Sequence, residues 1–150
     1  MGILAIASQS GLMDVLARAL RPMMRRLFPE IPVDDPAMGA MLLNIAANML
    51  GLANAATPFG LQAMKELQRL NTHVHTASNA MCTFLAINTS SIQLIPATAI
   101  AFLAANGSLN PTSVIITSMI ASATSTIVAI ISVKQLAKLP KYRLTRVDES

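Results

Sequence analysis

Residues 37–64 read AMGAMLLNIAANMLGLANAATPFGLQAM, and this stretch decides the fold. It carries no charge and is long enough for a membrane helix, yet Gly51 and the pair Thr57 and Pro58 interrupt it. A helix over Ala37–Leu50 would be about 21 Å long, shorter than a hydrocarbon core of about 30 Å. We therefore predict two short helices that enter an apolar layer, the second of them starting at Thr57 and Pro58.

Charged residues are absent from most of the chain. Pro36–Met64 and Leu70–Val133 contain no Asp, Glu, Lys or Arg, and only 12% of all residues are charged while 53% are hydrophobic. Soluble domains contain about 25% charged residues and place them on the wet faces of their helices. Together with a mean hydropathy of +0.55, this composition predicts an all-α, polytopic integral membrane protein. It makes a soluble enzyme or a soluble helical bundle a poor fit.

A second apolar segment, from about Val74 to Ala105, is interrupted in the same way. The polar run Asn88–Ser91 breaks it, and Gln93 and Pro96 follow. After a polar turn, Pro111–Val133 is the cleanest candidate for a complete membrane span. The sequence therefore predicts two interrupted segments and one continuous one.

Cations flank the apolar part of the chain. Four arginines lie between residues 18 and 26, and lysines and arginines recur between residues 134 and 146. Both clusters prefer the cytoplasm under the positive-inside rule, so the chain between them must cross an even number of times. One of the three apolar segments must then enter and leave on the same side. We assign this re-entrant hairpin to the first segment because Lys65 and Arg69 follow it.

The sequence divides into three parts. Residues 1–35 hold an apolar stub, a basic amphipathic helix and a proline-rich loop, residues 36–133 form the membrane domain, and residues 134–150 form a basic cytoplasmic tail. We expect the amphipathic helix to lie in the headgroup layer, with a soluble linker helix as the alternative. Asp35 before Pro36 predicts a helix start, since the carboxylate caps free amides and proline suits the first helical position.

Polar, uncharged side chains cluster at both interruptions. Asn44, Asn48 and Gly51 are spaced by four and three, so they share a helix face that Asn54 or Ala55 would continue. These side chains either bond helices to one another or form a solute site, because paired broken segments mark binding sites in transporters. The candidate site residues are Asn44, Asn48, Gly51, Asn54, Thr57, Asn88, Thr89, Ser90 and Gln93.

The sequence argues against several other chemistries. Between Asp35 and Asp148 the only carboxylate is Glu66, which argues against proton coupling through a buried acid. His73 and His75 lack the further ligands of a metal site and an acid that would orient them for nucleophilic catalysis. The few aromatic residues argue against nucleic-acid binding. We expect no enzyme activity, no cofactor and no metal, and favour a neutral polar solute or an ion held by carbonyls and hydroxyls.

Three stretches carry a resemblance to a known family. They are SQSGLMDVLARALRP (8–22), LFPEIPVDDPAMGAMLLNIAANMLGLANAATPFGLQAMKELQRLN (27–71) and FLAINTSSIQLIPATAIA (84–101). From about Ser8 to Val133 the chain resembles the spore maturation protein A family, bacterial membrane proteins with a nucleoside-recognition, or Gate, domain. The string NxxxNxxGLxNAATPxGxxAM is its most specific part.

The resemblance implies a bacterial inner-membrane protein that works beside a spore maturation protein B-like subunit. Gate domains also occur in concentrative nucleoside transporters and ferrous iron transport protein B, which implies a gate or solute-path subunit for a small polar or nucleoside-like solute. The alternative is a structural or regulatory membrane protein in spore core dehydration. Family members usually carry further hydrophobic segments ahead of residue 8. The family signature falls here on Asn44, Asn48, Gly51, Asn54, Ala55, Thr57, Pro58, Gly60, Asn88, Thr89 and Pro96.

Overall fold

A computed structural model describes residues 12–73, 75–90 and 93–139. The predicted apolar stub, residues 1–7, and most of the predicted basic tail lie outside these residues. Within them the chain is all-helical, as predicted, with six α-helices, one 3₁₀ turn and no strand. The helices are α1 (Leu12–Leu27), α2 (Pro36–Met49), α3 (Ala53–Arg69), α4 (Asn79–Ser90), α5 (Ala97–Ala105) and α6 (Val114–Leu136), and the 3₁₀ turn at Pro111–Ser113 precedes α6.

Helix α2 is the centre of the molecule. It starts as predicted, because the Asp35 carboxylate accepts a hydrogen bond from the amide of Ala37 at 2.8 Å and Pro36 is the first helical residue. Helices α1 and α3 pack along it, and α4 also contacts it. Most of its side chains are therefore buried. The largest fully buried side chains of the described chain are Met24, Phe28, Met38, Met41, Leu67 and Phe84.

Helices α2 and α3 form an antiparallel hairpin whose two ends return to the same side. The Arg69 guanidinium, at the end of α3, donates to both oxygens of Asp35 at 2.8 and 3.1 Å, and also to Glu66 at 2.9 Å. Residues 50–52, here called the first break, form the tip of the hairpin. With 14 residues in α2 and 17 in α3, the tip lies about 21 to 25 Å from the charged residues.

We expect this hairpin to weaken in acid. The hydrogen bond from Ala37, followed by Arg69, holds the pKa of the Asp35 carboxyl below its ordinary value. A carboxyl whose pKa is lower in the folded state than in the unfolded state stabilises the fold at pH values above its unfolded pKa of about 3.9. This stability is lost as the pH falls through the pKa of the folded state. In thermal melts, the Tm of Asp35→Asn should therefore fall less than the Tm of the parent between pH 7 and pH 3.

Asp34→Asn is the matched control, because it removes a neighbouring carboxylate that is exposed and pairs with Arg21. It should keep the parent's dependence on pH. If Asp35→Asn behaves like Asp34→Asn, the contact between Asp35 and Arg69 does not stabilise the hairpin.

Helix α3 begins earlier than predicted. We predicted a start at Thr57 and Pro58, but the helix starts at Ala53, and Pro58 lies inside it. Two amides of the first turn bond to the carbonyl of Leu52 at 2.9 and 3.0 Å, so the helix is already under way before the proline. Proline removes only the hydrogen bond to the carbonyl four residues earlier. That residue, Asn54, is exposed, which leaves its carbonyl room for another partner.

The second apolar segment is interrupted, as predicted. Helix α4 ends at Ser90 and α5 begins at Ala97. The described residues between them, 93–96, are called the second break. Helix α4 packs against α6 and α5 packs against the 3₁₀ turn. No residue in the described range 97–105 is buried, so α5 exposes an apolar surface.

The continuous apolar helix is also present. Pro111–Leu136 is the one described helix long and apolar enough to cross a membrane, with 26 residues and a mean hydropathy of 2.1. Only 6% of an apolar 18-residue stretch of this helix is buried inside the molecule. Contiguous apolar surface of this kind marks contact with lipid or with another protein.

Lys134, the first residue of the second basic cluster, lies against the end of α1. The Nζ of Lys134, in the last turn of α6, donates to the carbonyl of Leu27, the last residue of α1, at 2.7 Å. A lysine at a helix C-terminus satisfies a free carbonyl. Glu30 lines one cavity with Lys134 and another with Leu70, which places the end of α3 nearby. This region is called the charged end.

Helix α1 packs on the protein as well as presenting a cationic surface. Met24 and Phe28, in and just after α1, belong to the same buried cluster as the residues of α2. Arg18, Arg25 and Arg26 are exposed. The apolar side of the predicted amphipathic helix is thus covered partly by α2, and its arginines remain free to face a membrane surface.

Candidate functional site

The first and second breaks lie against each other. The carbonyl of Met49, at the end of α2, accepts the amide of Leu94 at 2.8 Å and the amide of Ile95 at 3.4 Å. Helices α2 and α4 both start at the charged end and contain 14 and 12 residues, which gives lengths of about 21 and 18 Å. The two breaks therefore lie at a similar distance from the charged end, and there the carbonyl of the last residue of α2 binds the unwound backbone of the second break.

Gly51 makes this close approach feasible. Its φ of +72° lies in the left-handed region, which favours glycine. A Cβ at this position would overlap the carbonyl oxygen of Ile95 and lie 3.4 Å from the Cβ of Ala97. A side chain at residue 51 would thus push the tip of the α2–α3 hairpin away from the start of α5.

Three asparagines link the helices beside the breaks. Asn48 donates from Nδ2 to Oδ1 of Asn88 at 2.9 Å, which joins α2 to α4, and more weakly to Oδ1 of Asn44 at 3.5 Å. Asn44 is only 3% exposed and donates to the carbonyl of Ala56 in α3 at 2.7 Å. Asn88 donates to the carbonyl of Phe84 at 3.2 Å. These bonds form one connected asparagine chain across α3, α2 and α4.

Gly60 supports the asparagine chain, a role that the sequence analysis missed. A Cβ at Gly60 would lie 2.8 Å from Nδ2 of Asn44, so the missing side chain lets the amide reach Ala56. Gly60 follows Ala56 by four residues and shares its helix face. That spacing was the available signal, but it could not show that the face meets an asparagine of another helix.

The other candidate residues are placed differently. Asn54 and Thr57 are exposed on α3. Of the two residues predicted to continue the asparagine face of α2, Asn54 therefore does not do so, and Ala55 is half-buried. The hydroxyls of Thr89 and Ser90 donate to carbonyls earlier in α4, at 2.9 and 3.0 Å. Gln93 is half-buried in the second break. The structure thus brings together Asn44, Asn48, Gly51 and Asn88.

The chemistry available at the breaks is neutral hydrogen bonding. Asn48 and Asn88 are half-buried, while the amides of the first break and those of Leu94 and Ile95 already bond to backbone carbonyls within the protein. Among the described residues there is no cluster of three or more His, Cys, Asp or Glu side chains that could hold a metal ion. Carboxamides suit a neutral polar molecule, since they both donate and accept hydrogen bonds.

Comparisons with known proteins agree with this architecture. The family described as "Gate: Nucleoside recognition" matches residues 1–137, which contain both breaks and the asparagine chain. "Spore maturation protein A" of Bacillus subtilis (strain 168) is 50% identical over 131 residues, covering 87% of this chain and 67% of that protein. No solved structure matches the chain significantly. With nearly its whole described length matched, the chain belongs to the Gate nucleoside-recognition family and is a homologue of spore maturation protein A.

Proposed function

We propose that this chain is the solute-path subunit of a membrane transporter for a small polar, nucleoside-like solute. The observation that carries the proposal is the close approach of the two breaks, where Gly51 lies against Ile95 and the carbonyl of Met49, at the end of α2, binds the amides of Leu94 and Ile95. In secondary transporters, paired discontinuous helices hold the substrate because their half-helix ends offer free amides and carbonyls. The asparagine chain adds neutral donors and acceptors beside that point.

The depth of the breaks supports this proposal. Helix α6 has 23 residues and is about 35 Å long, enough to cross a hydrocarbon core of about 30 Å. The breaks lie about 18 to 25 Å from the charged end, which is inside such a core and short of its far side. Transporter sites also lie within the core, near the bilayer midplane.

The ends of the helices support the re-entrant topology. The hairpin α2–α3 starts and finishes at the charged end, joined there by Asp35 and Arg69. The remaining path, α4 to α5 and back through α6, also returns to the charged end at Lys134. We place the charged end in the cytoplasm, because arginines and lysines concentrate there, and place the chain in the bacterial inner membrane.

The opened backbone also supports the need for a partner subunit. Unwound backbone at membrane depth is tolerated only where protein or a water-filled cavity shields it. Ile95 in the second break is 48% exposed, and helices α5 and α6 expose further large apolar side chains, including Phe102 at 68% and Ile116 at 70%. A spore maturation protein B-like subunit, related to the chain through its Gate domain, would cover that side.

Uptake into vesicles tests the proposed path. The full chain, co-purified with the B-like subunit and reconstituted, should take up radiolabelled uridine or adenosine faster than empty vesicles. Asn48→Leu should lower the initial uptake rate about tenfold or more, because it removes the donor between α2 and α4. Asn106→Leu is the matched control, since Asn106 is exposed and donates only to the carbonyl of Phe102. Absence of uptake by the parent for every nucleoside tested would contradict the proposed path.

A structural role is the second candidate, favoured by one observation. The donors of the asparagine chain already bind acceptors within the protein, and no buried side-chain polar atom among the described residues lacks a partner. Polar bonds of this kind hold helices together in membranes. Loss of complex assembly in Asn48→Leu, with no uptake by the parent complex, would favour this role.

A further inference from the structure

An open groove of about 510 Å³ lies at the charged end, between α1 and the start of α2. We propose that it binds one anionic phospholipid, with the phosphate at Arg18, beside the pair of Arg21 and Asp34, and the first part of an acyl chain along Gly39 and Leu42. The groove is separate from the two breaks, and the proposal rests only on the membrane placement of the chain.

The charges around the groove favour an anion. Both carboxylates that line it are already paired, Asp34 with Arg21 at 3.2 Å and Asp35 with Arg69 at 2.8 Å. Arg18 also lines the groove, is exposed, and makes no ion pair with a carboxylate of the described residues. It is therefore free to bind a phosphate. Two more exposed arginines follow on the same helix, Arg25 and Arg26.

The shape and apolar lining favour a lipid over a soluble anion. The groove is also lined by apolar residues, which are Ala17, next to Arg18, together with Val33, Gly39 and Leu42. A Cβ at Gly39 would meet nothing within 4 Å, so the surface of α2 is open there. A ligand that fits must be charged at one end and apolar at the other. Basic pockets between helices at the cytoplasmic face of a membrane bind anionic headgroups in this way.

Two substitutions test the site from its two sides. Gly39→Leu adds a side chain to the groove at a position where the new Cβ meets nothing within 4 Å, and Arg18→Gln removes the unpaired cation. Native mass spectrometry of the detergent-purified full chain should show retention of added phosphatidylglycerol over phosphatidylcholine. Arg18→Gln should lower the retention of phosphatidylglycerol about fivefold, the size expected for one arginine at an anionic headgroup, and Gly39→Leu should lower it by occupying the space of the acyl chain.

Matched controls distinguish binding in the groove from general attraction of the lipid to the positive charge of α1. Ala19→Leu also adds a leucine and Arg26→Gln also removes an arginine, both at exposed positions of α1 outside the groove, and they should leave retention unchanged. An equal loss in Arg26→Gln would overturn the proposal, as would equal retention of the two lipids. Displacement of the lipid by glycerol phosphate at equal concentration would show that the site takes a soluble phosphate instead. Because lipid retention is measured without uptake, either proposal can fail while the other stands.

Discussion

Replacing Gly51 by alanine should separate the two helix breaks and abolish solute uptake. The left-handed φ of +72° costs an alanine about 1 to 2 kcal/mol, and the new Cβ must also displace the backbone carbonyl of Ile95. A backbone oxygen cannot turn aside as a side chain can, so we expect a total destabilisation of roughly 3 kcal/mol, which is large for one substitution. Thermal unfolding of the purified complex measures the stability, and vesicle uptake measures the function.

Gly107→Ala provides the control for backbone strain. Gly107 has a similar φ of +76°, but a Cβ there would meet nothing within 4 Å. Gly107→Ala should therefore lower the stability only by the backbone strain, about 1 to 2 kcal/mol, and should retain uptake. The difference between the two variants then measures the contact between the breaks. Equal destabilisation, with uptake intact in both, would mean that the contact contributes nothing.

The second large effect is expected from the bond between Asn48 and Asn88. Asn48→Leu leaves the side-chain oxygens of Asn88 and Asn44 without their donor, and Asn88→Leu leaves the amide of Asn48 without its nearer acceptor. Unpaired buried polar groups cost about 1 to 3 kcal/mol each. The double variant removes both partners, so its destabilisation should be smaller than the sum of the single values by about 1 kcal/mol. The same cycle with Asn106→Leu in place of Asn88→Leu should be additive.

The double variant also distinguishes the two candidate functions. If Asn48 and Asn88 contact solute, uptake should stay lost although part of the stability is recovered. If they only join α2 to α4, uptake should recover along with stability and assembly. Measuring both properties on one preparation therefore separates a solute site from a structural bond.

Features set by neighbouring residues could be predicted from the sequence. The start of α2 followed from Asp35 and Pro36, because capping involves only the first turn of a helix. Both interruptions followed from residues that disfavour helices, and the continuous span followed from its length and lack of charge. The predicted start of α3 was wrong, because proline is tolerated inside a helix as well as at its start, and here Pro58 follows a first turn that is already bonded to Leu52.

Contacts between distant segments could not be predicted in this way. The approach of Gly51 to Ile95 and of Gly60 to Asn44 depends on how helices cross, which no spacing within one helix specifies. Periodicity placed Asn44 and Asn48 on one face but could not show that Asn88 completes the bond. The pairing of Asp35 with Arg69 likewise joins residues that look like separate boundary charges in the sequence.

The bond from Lys134 to the Leu27 carbonyl has a consequence for biogenesis. The two residues are 107 positions apart, so the carbonyl leaves the ribosome long before the lysine is synthesised. The C-terminus of α1 therefore lacks this partner while α2 to α5 are being synthesised. The bond can form only once most of α6 has been made, so the packing of α1 against the end of α6 is completed after the other described helices exist.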